Sequence, residues 1–410
     1  MTGARISPAR LHETITELSK IGRQPTGGIT RLTFSKADIE ARKYVSDLIQ
    51  KAGMSVSIDK FGNIMGRSLN AASDAPTIAC GSHIDTVPNG GSLDGAYGVL
   101  GAIEAIRIIH EHYTPTKALQ IIVFTEEEGG RFGAFIGSRG FAGLLNTSNV
   151  YAMRDKEHVT FQDAMHNAKL IPSSQRSRQH LNIRAYVELH IEQGPILEHE
   201  HKSIGIVESI VGLGDLEIEI EGKVGHAGTT PMQLRRDALV GAARIILGVN
   251  RIAIKTGIPA VATVGSVTAY PGVSNVIPGR VFISVDYRDA SLPRMRTLET
   301  KIISISKQAA NESNLKIVIR RKSLTKPAKM STNIIRMIET SSRSLELSYK
   351  HMQSGAGHDC QNMARITKTG MIFVPSRNGL SHVPNEYTKP KQLEDGANVL
   401  LETLLRLANE

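Results

Sequence analysis

Three consecutive stretches limit the kind of sheet this chain can build. Residues 77–80 form a short apolar run, residues 98–112 (GVLGAIEAIRIIHEH) carry Leu100, Ile103, Ile106 and Ile109 at helical spacing, and residues 118–125 (ALQIIVFT) are apolar almost throughout. Apolar residues three and four apart mark a helix with one buried side, and a short unbroken apolar run marks a strand covered on both faces. Strand, crossover helix and strand make the parallel βαβ unit, so the expected fold class is α/β with a mostly parallel sheet flanked by helices. In open sheets of that kind ligands collect beyond the carboxyl ends of the strands. The residues that follow each strand are therefore the candidates for function.

Those residues share a chemistry. The first strand runs into GSHIDTVPNGGSLDG, residues 81–95, where His83 and Asp94 face each other across a glycine-rich loop. The second runs into Glu126, Glu127 and Glu128. Three adjacent carboxylates on their own read as a solvated cluster; at the end of a buried strand one can hold a cation while a neighbour stays available as a base. A third strand-like run, residues 184–189, ends in His190 with Glu192 and Gln193 close behind, and the loop after residues 371–374 carries His382. Imidazole and carboxylate together are the ligand types that divalent Zn, Mn, Co and Ni accept.

The rest of the chain frames these loops. Leu11, Ile15, Leu18 and Ile21 give a first amphipathic helix, and Ser35 with Asp38 resembles an N-cap ahead of a second, stopped by Gly53. Short strands are expected at residues 55–58 and 63–66. From about Val211 the pattern changes: Leu216, Ile218 and Ile220 alternate with Glu217, Glu219 and Glu221, as in a strand with one buried face. A helix and two further strand-like runs follow, so residues 212–328 are expected to form a smaller inserted α+β domain. Residues 1–211 and 329–410 are then a discontinuous catalytic domain.

At 410 residues the chain is longer than one typical core. It has no run of about eighteen apolar residues, which argues against a membrane span. Two cysteines, Cys80 and Cys360, and the lack of an apolar leader suggest a reducing, cytoplasmic setting. The net charge is +10, and the densest basic run is Arg320, Arg321, Lys322, Lys326 and Lys329. That run contains no aromatic residue and Trp is absent, so it reads as a solvated basic surface that attracts small anions, not as a nucleic-acid interface.

Taken together, GSHIDTVPNGGSLDG, TEEEGGRF, ELHIEQGPILE, GHAGTTPMQLRRDAL, SNVIPG with VDYRD, SGAGHD and GLSHVPNEYT resemble, in order, the motifs of the M20-type metallo-amidohydrolases. Within them the resemblance is to N-carbamoyl-L-amino-acid hydrolases, allantoate amidohydrolases and β-ureidopropionases. It implies two divalent cations per subunit, with His83, Asp94 and His190 on one, Glu128 and His382 on the other, and Asp94 bridging. It implies Glu127 as the general base, Asp85 as the carboxylate that orients His83, and no settled role for Glu126. Gln193, His226, Asn275, Arg288, Gly355 and Ala356 match substrate-binding positions. His226 also matches a catalytic position, and the family uses the inserted domain as a lid and dimerisation module that carries this histidine into a neighbouring subunit's site.

The activity implied is hydrolysis of a linear C–N bond in a small anionic ureide or amide. N-carbamoyl-L-amino acids lead, helped by the FGA that follows EEGGR and by the RRDAL segment, with allantoate or N-carbamoyl-β-alanine as alternatives. A dipeptidase or deacylase of the same clan would use the same cations on other amides. A non-catalytic binding protein on this fold would lack metal and activity alike.

Overall fold

Thr77–His83, the helix Ala96–His112 and Ala118–Phe124 form the expected βαβ unit, the two strands parallel and in register from Thr77 opposite Ala118 to His83 opposite Phe124. The computed structural model describes residues 3–69, 75–172 and 182–410. The unit lies inside a nine-stranded sheet. From one edge its order is Met54–Ile58, Ile64–Ser68, Ala118–Phe124, Thr77–His83, Ile183–Ile191, Lys368–Val374, Ile204–Ile210 and Ala328–Lys329, with Tyr349–Ser354 also paired to Ile204–Ile210. The four central strands, Ala118–Phe124 to Lys368–Val374, are parallel, while Met54–Ile58 with Ile64–Ser68, Ile64–Ser68 with Ala118–Phe124, and Lys368–Val374 with Ile204–Ile210 pair antiparallel.

The hydropathy pattern explains this order. Thr77–His83 and Ala118–Phe124 are buried at every position, as strands covered by helices on both faces must be. The helix Ala96–His112 is buried along most of its length and, with the C-terminal helix Pro390–Asn409, fills the largest apolar core. Ser35 caps Lys36–Lys51 by accepting a 3.3 Å hydrogen bond from the Asp38 amide, as its spacing suggests.

The chain divides into two compact units, Met1–Glu208 with Lys329–Glu410, and Ser209–Ala328. The second holds a four-stranded antiparallel sheet in the order Lys316–Thr325, Gly212–Glu221, Arg280–Asp289, Val261–Tyr270. Leu216, Ile218 and Ile220 meet the helices Ala238–Thr256 and Leu292–Glu312 in its own core. On the other side of Gly212–Glu221, Glu219 is ion-paired to Arg280 and Arg320, and Glu217 to Lys322. Arg321 binds Glu299 at 2.6 Å. Three residues of the densest basic run are thus matched by the unit's own carboxylates.

Candidate metal centre and active site

The carboxyl ends of the parallel strands deliver the donors. His83 is the last residue of its strand, His190 the second last of Ile183–Ile191, and Glu127 and Glu128 follow Ala118–Phe124. Tight reversals aim them: Glu126, Gln193 and His382 all lie in the left-handed region, with φ of 57°, 58° and 60°. Such conformations are uncommon outside glycine and cluster where a fold holds side chains for a purpose. Gly95, φ 63°, begins the helix Ala96–His112, and a Cβ there would lie 2.4 Å from the His83 ring. Only glycine lets the Asp94 loop close onto His83.

Asp94 is the centre of the cluster. Its Oδ1 lies 3.2 Å from His190 Nε2 and 3.7 Å from His83 Nε2, and its Oδ2 lies 3.1 Å from His382 Nε2. His382 Nε2 is 3.4 Å from Glu128 Oε2, and His83 Nε2 is 3.6 Å from Glu127 Oε2. Two donor triads result, His83–Asp94–His190 and Asp94–Glu128–His382, sharing the one carboxylate. Two ligand atoms each about 2.1 Å from a tetrahedral cation lie about 3.4 Å apart, and the separations found here bracket that value.

The tautomers fit as well. His83 Nδ1 is 3.0 Å from the Asp85 carbonyl and His190 Nδ1 is 2.9 Å from the Ile191 carbonyl. An Nδ1–H donated to a carbonyl leaves a lone pair on Nε2, the atom that faces Asp94. The orienting group of His83 is thus the main chain of Asp85 and not its carboxylate, whose Oδ1 is 3.7 Å away. That carboxylate instead accepts the amides of Glu127 and Glu128, at 3.3 and 3.1 Å, and fixes the turn that carries both. Glu126 points elsewhere and accepts the amides of Arg131, Phe132 and Gly133.

Electrostatics make the same demand. Burial pushes the Glu127 carboxyl well above its usual range; His83 pulls against this, and Asp359, Glu128 and Asp94 add to it. Burial, then Asp94, raises Glu128 to about 7. Burial also works against charge on Asp94, yet the imidazoles of His190, His382 and His83 around it hold its carboxyl well below the carboxylate range. Acidic groups packed this closely call for positive charge between them, which a divalent cation would supply.

Gln193 joins this cluster, its Nε2 donating to Asp94 Oδ2 at 2.8 Å, while its Oε1 is buried with no hydrogen-bond partner among the described residues. Gly355 and Ala356 follow Tyr349–Ser354, where the Ser354 hydroxyl holds the loop through the Ala356 amide and carbonyl, at 3.2 and 2.8 Å. His226, Asn275 and Arg288 belong to the second unit. His226 Nδ1 accepts the amides of Gly228 and Thr229, at 3.0 and 3.2 Å, so its proton sits on the exposed side of the ring, on Nε2. The Asn275 carbonyl accepts the Ala227 amide at 3.0 Å, and Arg288 makes two 2.9 Å bonds to Asp286.

Ser381 and Glu386 were not expected at the site. The Ser381 hydroxyl lies 2.9 Å from Asp94 Oδ2 and 2.8 Å from Glu386 Oε2. Two further donor groups lie among the described residues: His83 with Glu127 and Glu128, and, beneath His190, Glu188 with His190 and His358, where Glu188 already accepts from Ser82 and the Cys360 amide.

Comparison with known proteins gives a consistent picture. Residues 79–406 match Peptidase family M20/M25/M40. An N-carbamoyl-L-amino-acid amidohydrolase of Pseudomonas sp. (strain NS671) is 38% identical over 99% of this chain and 100% of its own. An allantoate amidohydrolase of Bacillus subtilis (strain 168) is 36% identical over 95% of each. Among solved structures, an amidase of the hydantoinase/carbamoylase family from Burkholderia multivorans superposes with a TM-score of 0.94, at 34% identity and full coverage of both chains.

Proposed function

The chain belongs to Peptidase family M20/M25/M40, and from that membership we propose that it hydrolyses the linear C–N bond of an N-carbamoyl-L-amino acid, releasing the L-amino acid, ammonia and carbon dioxide. The observation that carries this reading is the shared carboxylate: Asp94 faces His83 and His190 with one oxygen and His382 with the other. We assign His83, Asp94 and His190 to one divalent cation and Asp94, Glu128 and His382 to a second, each Zn, Mn, Co or Ni. Bound there, the cations would lower the pKa of a water and polarise the ureido carbonyl.

The chain's own groups do the remainder. Glu127, beside His83 and tied to no cation in this assignment, takes the water's proton and returns it to the leaving nitrogen. His226, with its proton on Nε2, suits a donor to the developing oxyanion, a contribution of roughly 3–4 kcal/mol for one well-placed donor. Arg288, its guanidinium plane fixed by Asp286, suits the substrate carboxylate. Gln193, Asn275, Gly355 and Ala356 supply amide contacts along the substrate.

The second unit serves in this reading as lid and dimerisation module, bringing His226 into the partner's site. The setting proposed is the cytoplasm, which suits two buried free cysteines; no described helix is long and apolar enough to cross a membrane. Allantoate is the second reading, favoured by the relative of that activity. Ammonia release from N-carbamoyl-L-amino acids, N-carbamoyl-β-alanine and allantoate, measured in parallel on protein stripped by chelation and reloaded with Zn, Mn or Co, tests both. Loss on stripping, recovery on reloading and fastest turnover of an N-carbamoyl-L-amino acid are expected. Inactivity on all three after reloading sinks the ureide reading, and faster cleavage of dipeptides reassigns the substrate.

A further inference from the structure

The last motif brings a carboxylate to the metal centre besides the His382 imidazole that the family pattern singles out. Glu386 is 7% exposed. Its Oε1 accepts the amides of Leu93 and Asp94, at 2.8 and 3.1 Å, and its Oε2 faces the Ser381 hydroxyl at 2.8 Å. The same hydroxyl is 2.9 Å from Asp94 Oδ2. The contact has been given room: a Cβ on Gly91 would lie 2.1 Å from the Glu386 carboxyl carbon. Two loops almost 300 residues apart are thereby stapled at the residue that both donor triads share.

We propose that Glu386 is a positioning residue that sets the plane of the bridging Asp94 carboxylate. Rotation of a carboxylate about its last bond is soft, with broad minima. A bridging role demands one orientation, with Oδ1 toward His83 and His190 and Oδ2 toward His382. Besides the Gln193 amide, which donates to the same Oδ2 at 2.8 Å, two restraints that depend on Glu386 supply it. Glu386 anchors the backbone of Asp94 itself, and it holds Ser381 where its hydroxyl reaches Oδ2. That hydroxyl carries a single proton for two carboxylate neighbours, so Glu386 also governs how firmly Ser381 can hold Asp94. Because Glu386 lies four residues from His382, its loss loosens the Asp94–Glu128–His382 triad more than the triad of His83, Asp94 and His190.

This inference rests on the two-cation reading, and the test separates the two. Full-length protein, stripped of metal, is titrated with Co2+, followed by visible absorption and by calorimetry, for the wild type and for Glu386→Ala, Glu386→Gln and Ser381→Ala. The wild type is expected to take two ions per chain. Glu386→Ala should weaken the second ion 10- to 100-fold, the usual scale for removing a group that orients a metal ligand, and shift the first by no more than a few-fold. Glu386→Gln should recover most of the loss. Its oxygen still accepts both amides, and its NH2 donates to Ser381, which gives its proton to Asp94. Ser381→Ala should weaken the second ion several-fold. Equal affinity of Glu386→Ala and wild type for both ions overturns the proposal. So does an equal loss of both ions that Glu386→Gln fails to rescue, since that pattern belongs to a general core residue. If Glu386→Ala does not fold, the Gln and Ser381 variants decide, and unchanged second-ion binding in Ser381→Ala counts against the proposal. A wild type that takes fewer than two ions overturns the two-cation reading and this inference together, from its own titration alone.

Discussion

Glu126, Glu127 and Glu128 are one repeated residue with three different surroundings. Glu126 is fully buried and holds the amides of residues 131–133, while Glu127 faces His83 and Glu128 faces His382. The sequence shows three carboxylates after a buried strand; it cannot show which way each points, because a left-handed residue at Glu126 rotates the turn. With Glu127 as the proton carrier, Glu127→Gln keeps the shape of the site and removes the base. Turnover should fall by roughly 10²- to 10⁴-fold with metal content unchanged. Glu126→Gln keeps an oxygen for the loop amides and should cost far less. If Glu126→Gln proves the more damaging of the two, the roles are shifted by one position. Ligand types standing directly after apolar runs were legible in this way. Ser381 and Glu386 were not, since a serine and a glutamate in a polar loop look solvated until a distant segment folds over them.

The same limit holds for elements. Helices and strands with clean periodicity, such as Pro8–Lys20 and Ala118–Phe124, lie where spacing put them. In the strand Lys316–Thr325 only charge shows in the sequence, because Lys316, Arg320, Arg321 and Lys322 hide the alternation of Ile317 and Ile319. Its carboxylate partners lie on Gly212–Glu221 and the helix Leu292–Glu312, too far along the chain for a local pattern. At the opposite edge of that sheet, Val261–Tyr270 carries no charge at all, the reverse of how edges are normally protected. On the helix Ala238–Thr256, which packs against it, Val240, Leu247 and Ile254 recur every seven residues and are 48%, 63% and 71% exposed. An uncharged edge beside an apolar stripe is the surface that the proposed dimer would use. Leu247→Glu adds a charge there and gains Arg251 as a helical partner four residues on, so the unit itself should stay folded. Sedimentation should show a monomer with normal metal content and, because His226 acts across subunits in this reading, lost turnover. A Leu247→Glu dimer of full activity would remove this surface from the interface.

At the scale of the whole chain, the donors are spread from His83 to His382 yet fall within one unit, built from both ends of the sequence. The order of motifs made that discontinuity readable, since an alternating strand pattern interrupts a buried one and the buried one then resumes. A consequence follows for stability. Ions that bind only the folded state stabilise it by about 2.7 kcal/mol at a hundredfold excess over the dissociation constant. Here that gain belongs to Met1–Glu208 and Lys329–Glu410, where every assigned ligand resides, and the chain crosses Ser209–Ala328 without placing a ligand in it. Hydrogen exchange on full-length protein, with excess Zn2+ and then with chelator, reads the two units separately. Metal should slow exchange in Thr77–His83, Ile183–Ile191 and Lys368–Val374, whose ends or following loops carry His83, His190 and His382. Exchange in Gly212–Glu221 and Arg280–Asp289 should respond far less. A metal-dependent slowing of the same size in both sets of strands would mean that cation binding stabilises the chain as one cooperative block, and the assignment of its effect to the discontinuous unit would be wrong.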